Sequence, residues 1–212
     1  MKTYTMYEVD IIEKIIRNIA HEVRNPLTTI RGYAQLLTQK LDTASIQKSQ
    51  KMIIEQAERI DGMFNDLYNA FTIKEDTIVG CLIPDILQKA LDASVYHDYI
   101  IIDDCDSFQV PCYMNRLLLC FNTFVNGFNW KYFPDARLRI YVKKETFCTI
   151  YFQYTNVIFD ASLENLFFYP FQTKHFFIKG TELFSIYCIA NRSGWNMDFN
   201  YSNNTFAISI PL

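Results

Sequence analysis

Apolar positions in the first third of the chain recur at steps of three and four. They fall at Ile12, Ile16, Ile19, Val23, Leu27, Ile30, Ala34, Leu37 and Leu41, which together mark one face of a helix. The four-step from Val23 to Leu27 breaks the heptad rhythm and coincides with Pro26. A polar stretch, Asp42-Thr43-Ala44-Ser45, predicts a turn. A second helix then runs through Ile46, Ile53, Ala57, Ile60, Phe64, Leu67 and Phe71, with Gln50 in the vacant seam position. Residues 8–71 therefore read as an antiparallel helical hairpin with one wide apolar stripe. A single hairpin cannot cover such a stripe, whereas a second copy completes a four-helix bundle, so a homodimer is expected.

Beyond a polar linker at 72–77 the period changes. Residues 83–93 read as a short amphipathic helix, 99–102 as a strand, and 113–130 as a longer helix that is apolar on most sides. Strict alternation over 137–144 and 147–155 predicts two strands, 182–191 a helix, and 196–201 with 205–210 a closing hairpin turned by Ser202-Asn203-Asn204. The expected fold class is α+β, with a helical hairpin over 1–75 and an α/β sandwich over 76–212, helices lying on one face of a mixed sheet.

Composition narrows the chemistry. A net charge of −3, with ten basic and ten acidic residues balanced over 1–75, gives no electrostatic case for nucleic acid. Six glycines in 212 residues argue against a glycine-rich loop that wraps phosphates in backbone N–H groups. The six cysteines form no CxxC pair and three scattered histidines add no ligand set, so buried reduced thiols are expected and no metal site. No run approaches the length of a membrane span, and the chain reads as cytoplasmic with no membrane partner.

One histidine stands out. His21 lies between Ile19 and Val23 but projects away from the apolar stripe, with Asn25 one turn further along its face. Pro26 removes the N–H that would bond the Glu22 carbonyl, and is expected to kink the helix just past the histidine. A solvated surface histidine is the bland interpretation. The combination also suits phosphoryl chemistry: a neutral imidazole can accept the group, an adjacent carboxylate can hold the other ring proton, and an amide can bind the transferring group.

The segment His21-Glu22-Val23-Arg24-Asn25-Pro26-Leu27-Thr28-Thr29-Ile30-Arg31-Gly32-Tyr33, continuing through Ala34-Gln35-Leu36-Leu37, resembles the phosphoacceptor box of bacterial sensor histidine kinases. Ile54-Glu55-Gln56-Ala57-Glu58-Arg59-Ile60 resembles that family's second dimerisation helix. The resemblance implies His21 as the phosphorylation site, Glu22 as general acid/base and Asn25 as an assisting residue. It also implies Arg17, Arg24 and Thr28 as contacts to a response-regulator receiver domain.

In the second half, Asn122-Thr123-Phe124-Val125-Asn126-Gly127 resembles the asparagine box of the family's ATP-binding sandwich, with Asn126 at the position of the Mg²⁺-binding asparagine and Asn129 or Lys131 near the phosphates. Residues 166–174, ending in Lys174, resemble the phenylalanine box that borders the ATP lid. The glycine boxes have departed further. The stretch 153–159 holds neither the adenine-binding aspartate nor a glycine, Asp160 follows too late, and only Gly180-Thr181 remain of the second box, followed by Glu182 and Phe184. Asn122, Asn126, Lys131, Lys174, Gly180 and Thr181 are thus the residues of a vestigial nucleotide site. Phe184 and the lid phenylalanines are expected to fill it and leave no cavity.

Three functions remain open at this point. The first is histidine phosphotransfer between His21 and a regulator aspartate with ATP binding lost. The second is an active kinase that uses Mg-ATP, and the third a non-catalytic protein that binds a regulator or a kinase.

Overall fold

The computed structural model describes residues 6–39, 42–72, 76–103, 108–159, 170, 176–178 and 180–212. Helix α1, Met6–Leu36, runs unbroken through Pro26, and α2, Thr43–Phe71, packs antiparallel against it. The expected turn residues 43–45 belong to α2 instead. Asp42 is the N-cap, its side chain accepting from the Ser45 N–H at 2.7 Å, so the helix starts earlier than its first apolar residue.

The apolar stripe divides in two. At about 100° per residue, Ile19, Val23, Pro26 and Ile30 fall on one arc of α1, and these are buried or half-buried towards α2. Ile16, Leu27 and Ala34 lie some 60° round from that arc and stay exposed, Ile16 by 60% and Leu27 by 50%. On α2 the same division separates inward Ser49, Met63 and Leu67 from outward Ile46, Ile54, Phe64 and Tyr68. Ser49, not Gln50, occupies the seam. Its hydroxyl donates to the Ser45 carbonyl at 2.9 Å, which lets a polar side chain lie buried between helices.

The sandwich follows. Strand β1 (Ile78–Leu82) and β3 (Gln109–Tyr113) form a two-stranded antiparallel sheet that the hydrophobic pattern did not predict. Helix α3 is Ile83–Asp92, β2 is Ile100–Ile102, and α4 is Met114–Gly127. Strands β4 (Arg137–Lys144) and β5 (Phe147–Thr155) match their alternation, α5 is Glu182–Arg192, and β6 (Asn196–Asn200) and β7 (Thr205–Pro211) close the chain. The main sheet has the order β2-β4-β5-β7-β6, with β2 parallel to β4 and the other neighbours antiparallel.

Alternation places Cys148, Ile150, Phe152 and Tyr154 of β5 and Phe206, Ile208 and Ile210 of β7 on the helix-covered face. There they meet Leu117, Cys120, Phe121 and Phe124 of α4, with Phe124 stacked on Phe152 at 4.1 Å. Cys81, Cys112, Cys120 and Cys148 are buried free thiols, as expected.

Two features join hairpin to sandwich. Met63 and Leu67 of α2 form a small core with Phe184 of α5, flanked by Ile15, Ile19 and Cys188. The connection is also anchored: Asp76 accepts from Asn115 Nδ2 at 3.2 Å and from the Arg116 N–H at 3.3 Å, holding a carboxylate at the N-terminus of α4.

Candidate functional site

His21 is exposed, on the side of α1 turned away from α2. Counting about 100° per residue, Arg17, Arg24, Thr28 and Asn25 fall within about 60° of it, and all four are exposed as well. Glu22 lies further round and is half-buried. The five exposed side chains form one polar strip on the outer face. Pro26 faces inward and is buried, so its ring packs in the hairpin while the strip stays open. The helix next to it is held by hydroxyls: Thr28 Oγ1 donates to the Arg24 carbonyl at 2.8 Å and Thr29 Oγ1 to the Asn25 carbonyl at 3.3 Å. Arg17 is braced by an ion pair to Glu13 one turn earlier.

The asparagine box opens into a cleft of about 350 Å³. Asn122, Thr123 and Asn126 of α4 line it together with Gly127, Thr181, Glu182 and Ser185, and Asn69 of α2 closes one side. This corrects the expectation of a filled site. Phe184 does not enter the cleft; it is 3% exposed because it packs on Met63 and Leu67 of the hairpin, on a different side of α5. Of the predicted nucleotide contacts, the cleft brings together Asn122, Asn126 and Thr181. Gly180, at φ 77, adjoins them in the left-handed region that favours glycine. Lys131 is exposed in the turn after α4 and does not line the cleft, because the chain leaves the helix at Phe128. Lys174, Asp160 and all of the phenylalanine box except Pro170 lie outside the described residues.

Two side chains change the character of the cleft. The Asn126 carbonyl oxygen accepts from Ser94 Oγ at 2.8 Å, and that hydroxyl in turn accepts from the Tyr96 N–H. Glu182, 6% exposed, lies so close to Gly127 that a Cβ there would sit 2.6 Å from Glu182 Cγ. Next to the cleft, aromatic rings fill the space between α4 and the end of β5. Phe128 bridges to Phe177, with the Asn129 N–H donating to the Phe176 carbonyl and the Ile178 N–H to the Gly127 carbonyl, both at 2.8 Å. Tyr154 stacks on Phe128 at 4.5 Å and donates its hydroxyl to the Phe124 carbonyl at 2.9 Å. Burial first, and the Glu182 charge second, push the Tyr154 phenol well above its ordinary range, so it stays a donor. Past β5, Asn156 turns the chain at φ 58 and bonds the Asp135 carbonyl, while Val157 and Phe159 are buried.

Sequence reasoning missed Ser94, Asn69 and the seating of Glu182. Asn69 carried one weak signal, a polar residue among the apolar ones two positions before the end of α2. The bond from Ser94 to Asn126 spans separate elements and leaves no local pattern.

Residues 12–75 match the His Kinase A (phospho-acceptor) domain. Those residues therefore carry a His Kinase A (phospho-acceptor) domain. The sensory histidine kinase/phosphatase NtrB of Escherichia coli O157:H7 is 43% identical over 53 residues, which are 25% of this chain and 15% of that protein. The match thus spans about a seventh of the relative's length. Histidine kinase AdeS of Acinetobacter baumannii superposes with a TM-score of 0.59 at 17% identity, covering 90% of this chain and 97% of that one. Histidine kinase ThkA, solved in complex with response regulator protein TrrA, gives 0.69 at 14% identity over 97% and 63%. The last two likenesses concern the fold, a helical hairpin joined to a sheet-containing domain as in those two histidine kinases. Among the described residues, no helix is long and apolar enough to cross a membrane.

Proposed function

We propose that this chain is a histidine phosphotransferase related to the sensor histidine kinases: it passes a phosphoryl group between His21 and the aspartate of a response-regulator receiver domain, and does so without ATP. The observation that carries the proposal is a contrast. The strip around His21 is exposed as a unit, whereas the stretch 153–159 holds neither the adenine-binding aspartate nor a glycine, and only Gly180-Thr181 remain of the second glycine box.

Mg-ATP does not fit the residues present. Asn126 Oδ1 accepts from Ser94 Oγ, which leaves one of its two lone pairs for any other partner. The adenine-binding aspartate has no counterpart on 153–159, and Tyr154, Phe128 and Phe177 fill the neighbouring space. Each lost polar contact costs about 1–3 kcal/mol, roughly 5–150-fold in affinity.

Transfer needs little from this chain beyond position. A neutral imidazole nitrogen of His21 attacks the phosphorus of an aspartyl phosphate brought by the partner. The N–P bond forms as the acyl O–P bond breaks, and the aspartate carboxylate leaves with the electron pair. The proton on the other ring nitrogen is stabilised or taken by the Glu22 carboxylate, and Asn25 steadies the phosphoryl oxygens. Arg17, Arg24 and Thr28 flank the histidine as contacts to the receiver. A response regulator is the partner of ThkA, which supports a receiver domain here. The exposed Ile16, Leu27, Ile54 and Phe64 support a homodimer through residues 8–71, with residues 1–75 acting as the transfer unit and 76–212 as the sandwich.

The test follows labelled phosphoryl from a panel of phosphorylated receiver domains. His21→Ala abolishes labelling while circular dichroism stays unchanged, and Glu22→Ala slows transfer about 10²–10⁴-fold. Equal labelling of the wild type and His21→Ala refutes the site. Nucleotide saturation at micromolar concentration would overturn this reading and replace it with autophosphorylation of His21 from Mg-ATP.

A further inference from the structure

The main sheet has a second face, turned away from α4 and α5. Register lines four residues across it in one row: Tyr141 on β4, Tyr151 on β5, Ala207 on β7 and Asp198 on β6. Tyr141 and Tyr151 stack at 4.7 Å with their planes 11° apart, so one face of the Tyr151 ring is covered and the other looks across Ala207. Neighbouring strands lie about 4.8 Å apart, which sets Asp198 about 10 Å from Tyr151 at the backbone. Ala207 between them is small, and the row sinks there into a groove of about 290 Å³. Thr149 and Ser209 border it, their hydroxyls sharing one hydrogen bond at 3.0 Å and keeping lone pairs and an O–H for a ligand.

We propose that this groove binds a neutral pyranose sugar, one C–H face of the ring lying on Tyr151 and its hydroxyls donating to the Asp198 carboxylate and bonding Thr149 and Ser209. The electron-rich face of an aromatic ring attracts the weakly positive C–H groups of a sugar. A carboxylate accepts from hydroxyls in strong, charge-assisted bonds. Charge decides the class. Asp198 is exposed, its carboxylate has no partner among the described residues, and it repels phosphates and carboxylates. A cation is met by like charge, since Lys143 Nζ already stands 5.8 Å from the centre of the Tyr151 ring. A neutral ring rich in hydroxyls suits both walls. The groove and the cleft beside Asn126 lie on opposite faces of the sheet, so a sugar here is compatible with phosphotransfer and with nucleotide binding alike.

The probes are D-glucose, D-galactose and D-mannose, titrated into the ¹⁵N-labelled full chain, with glycerol as a control that has hydroxyls and no ring. At least one sugar is expected to give saturable shifts centred on Tyr151, Ala207 and Asp198 by about 50 mM, and glycerol none. Asp198→Asn keeps the shape of the wall, removes its charge and weakens that sugar about tenfold. Ala207→Leu fills the groove from its floor and abolishes binding. Should that variant fold poorly by circular dichroism, Tyr151→Thr removes the ring from the opposite wall and weakens the sugar about two- to tenfold. Absence of saturable shifts with all three sugars, an equal response to glycerol, or unchanged affinity in a folded Asp198→Asn protein overturns the inference and leaves the phosphotransfer reading standing.

Discussion

Gly127 lacks a side chain for reasons of space. Placing a Cβ there brings it to 2.6 Å from Glu182 Cγ, and one of the two must move. Gly127→Ala is therefore expected to destabilise the chain by about 1–3 kcal/mol, as overpacking does in a tight site. Urea unfolding measures the cost, and adding Glu182→Ala should return most of it. A double variant no more stable than the single one would place the clash elsewhere. A second residue-scale expectation concerns Asp42. Hydrogen bonds from the Ser45 and Ala44 N–H groups hold its carboxyl below the ordinary aspartate value of 3.8. A depressed folded pKa means that the cap stabilises α2 fully above pH 3.8 and is lost as pH falls through the lower, folded value. The first turn of α2 should fray only in that acid window. The Ser45 amide resonance reports it, and Asp42→Asn should remove the pH dependence.

At the scale of elements, the contact of α2 with α5 is the informative one. Cys188 lies beside Met63, Leu67 and Phe184, and burial pushes its thiol up to about 11. At neutral pH it should react with iodoacetamide far more slowly than a free cysteine. Met63→Asp with Leu67→Asp should open the contact and speed alkylation of the Cys188 peptide by at least about tenfold, given that burial and thiolate fraction together set the rate. Mass spectrometry of that peptide distinguishes it from the other cysteines. Elements of this kind were unevenly legible in the sequence. Strands β4 and β5 could be read to the residue because one face is core and the other is not. Strands β1 and β3 could not: Ile78, Val79 and Gly80 are all exposed, so no alternation marks β1, and β3 carries Pro111. The spacing carries helix α4 three residues too far at its C-terminal end, because Phe128 and Trp130 remain apolar after the chain has left the helix to pair with Phe177. The same limit applies to the site. His21 and its neighbours share one helix and showed themselves by spacing, whereas the cleft is assembled from α2, α4 and α5 and could be read only in part.

For the whole molecule, the exposed line of Ile54 and Phe64 is the place to test self-association. Ile54→Asp with Phe64→Asp should convert a dimer to a monomer on a calibrated sizing column, leaving the α5 contact intact because both residues lie outside it. Ile19 is a poorer choice, since it packs beside Phe184 and its loss would loosen the sandwich as well. The Asp76 anchor bears on the sandwich in another way. Thr72 is tied back to the Tyr68 carbonyl and Asp76 is tied to α4, so only residues 73–75 separate two fixed points. Such a tether reaches no more than about 14 Å. It holds α5 near α2 at an effective concentration of at least the millimolar order, far above that of most partners in a cell. A contact as small as the one around Phe184 is then able to persist, although the same two surfaces on separate chains would part on dilution. Any partner that seeks the α5 face of the hairpin must compete with a neighbour that never diffuses away.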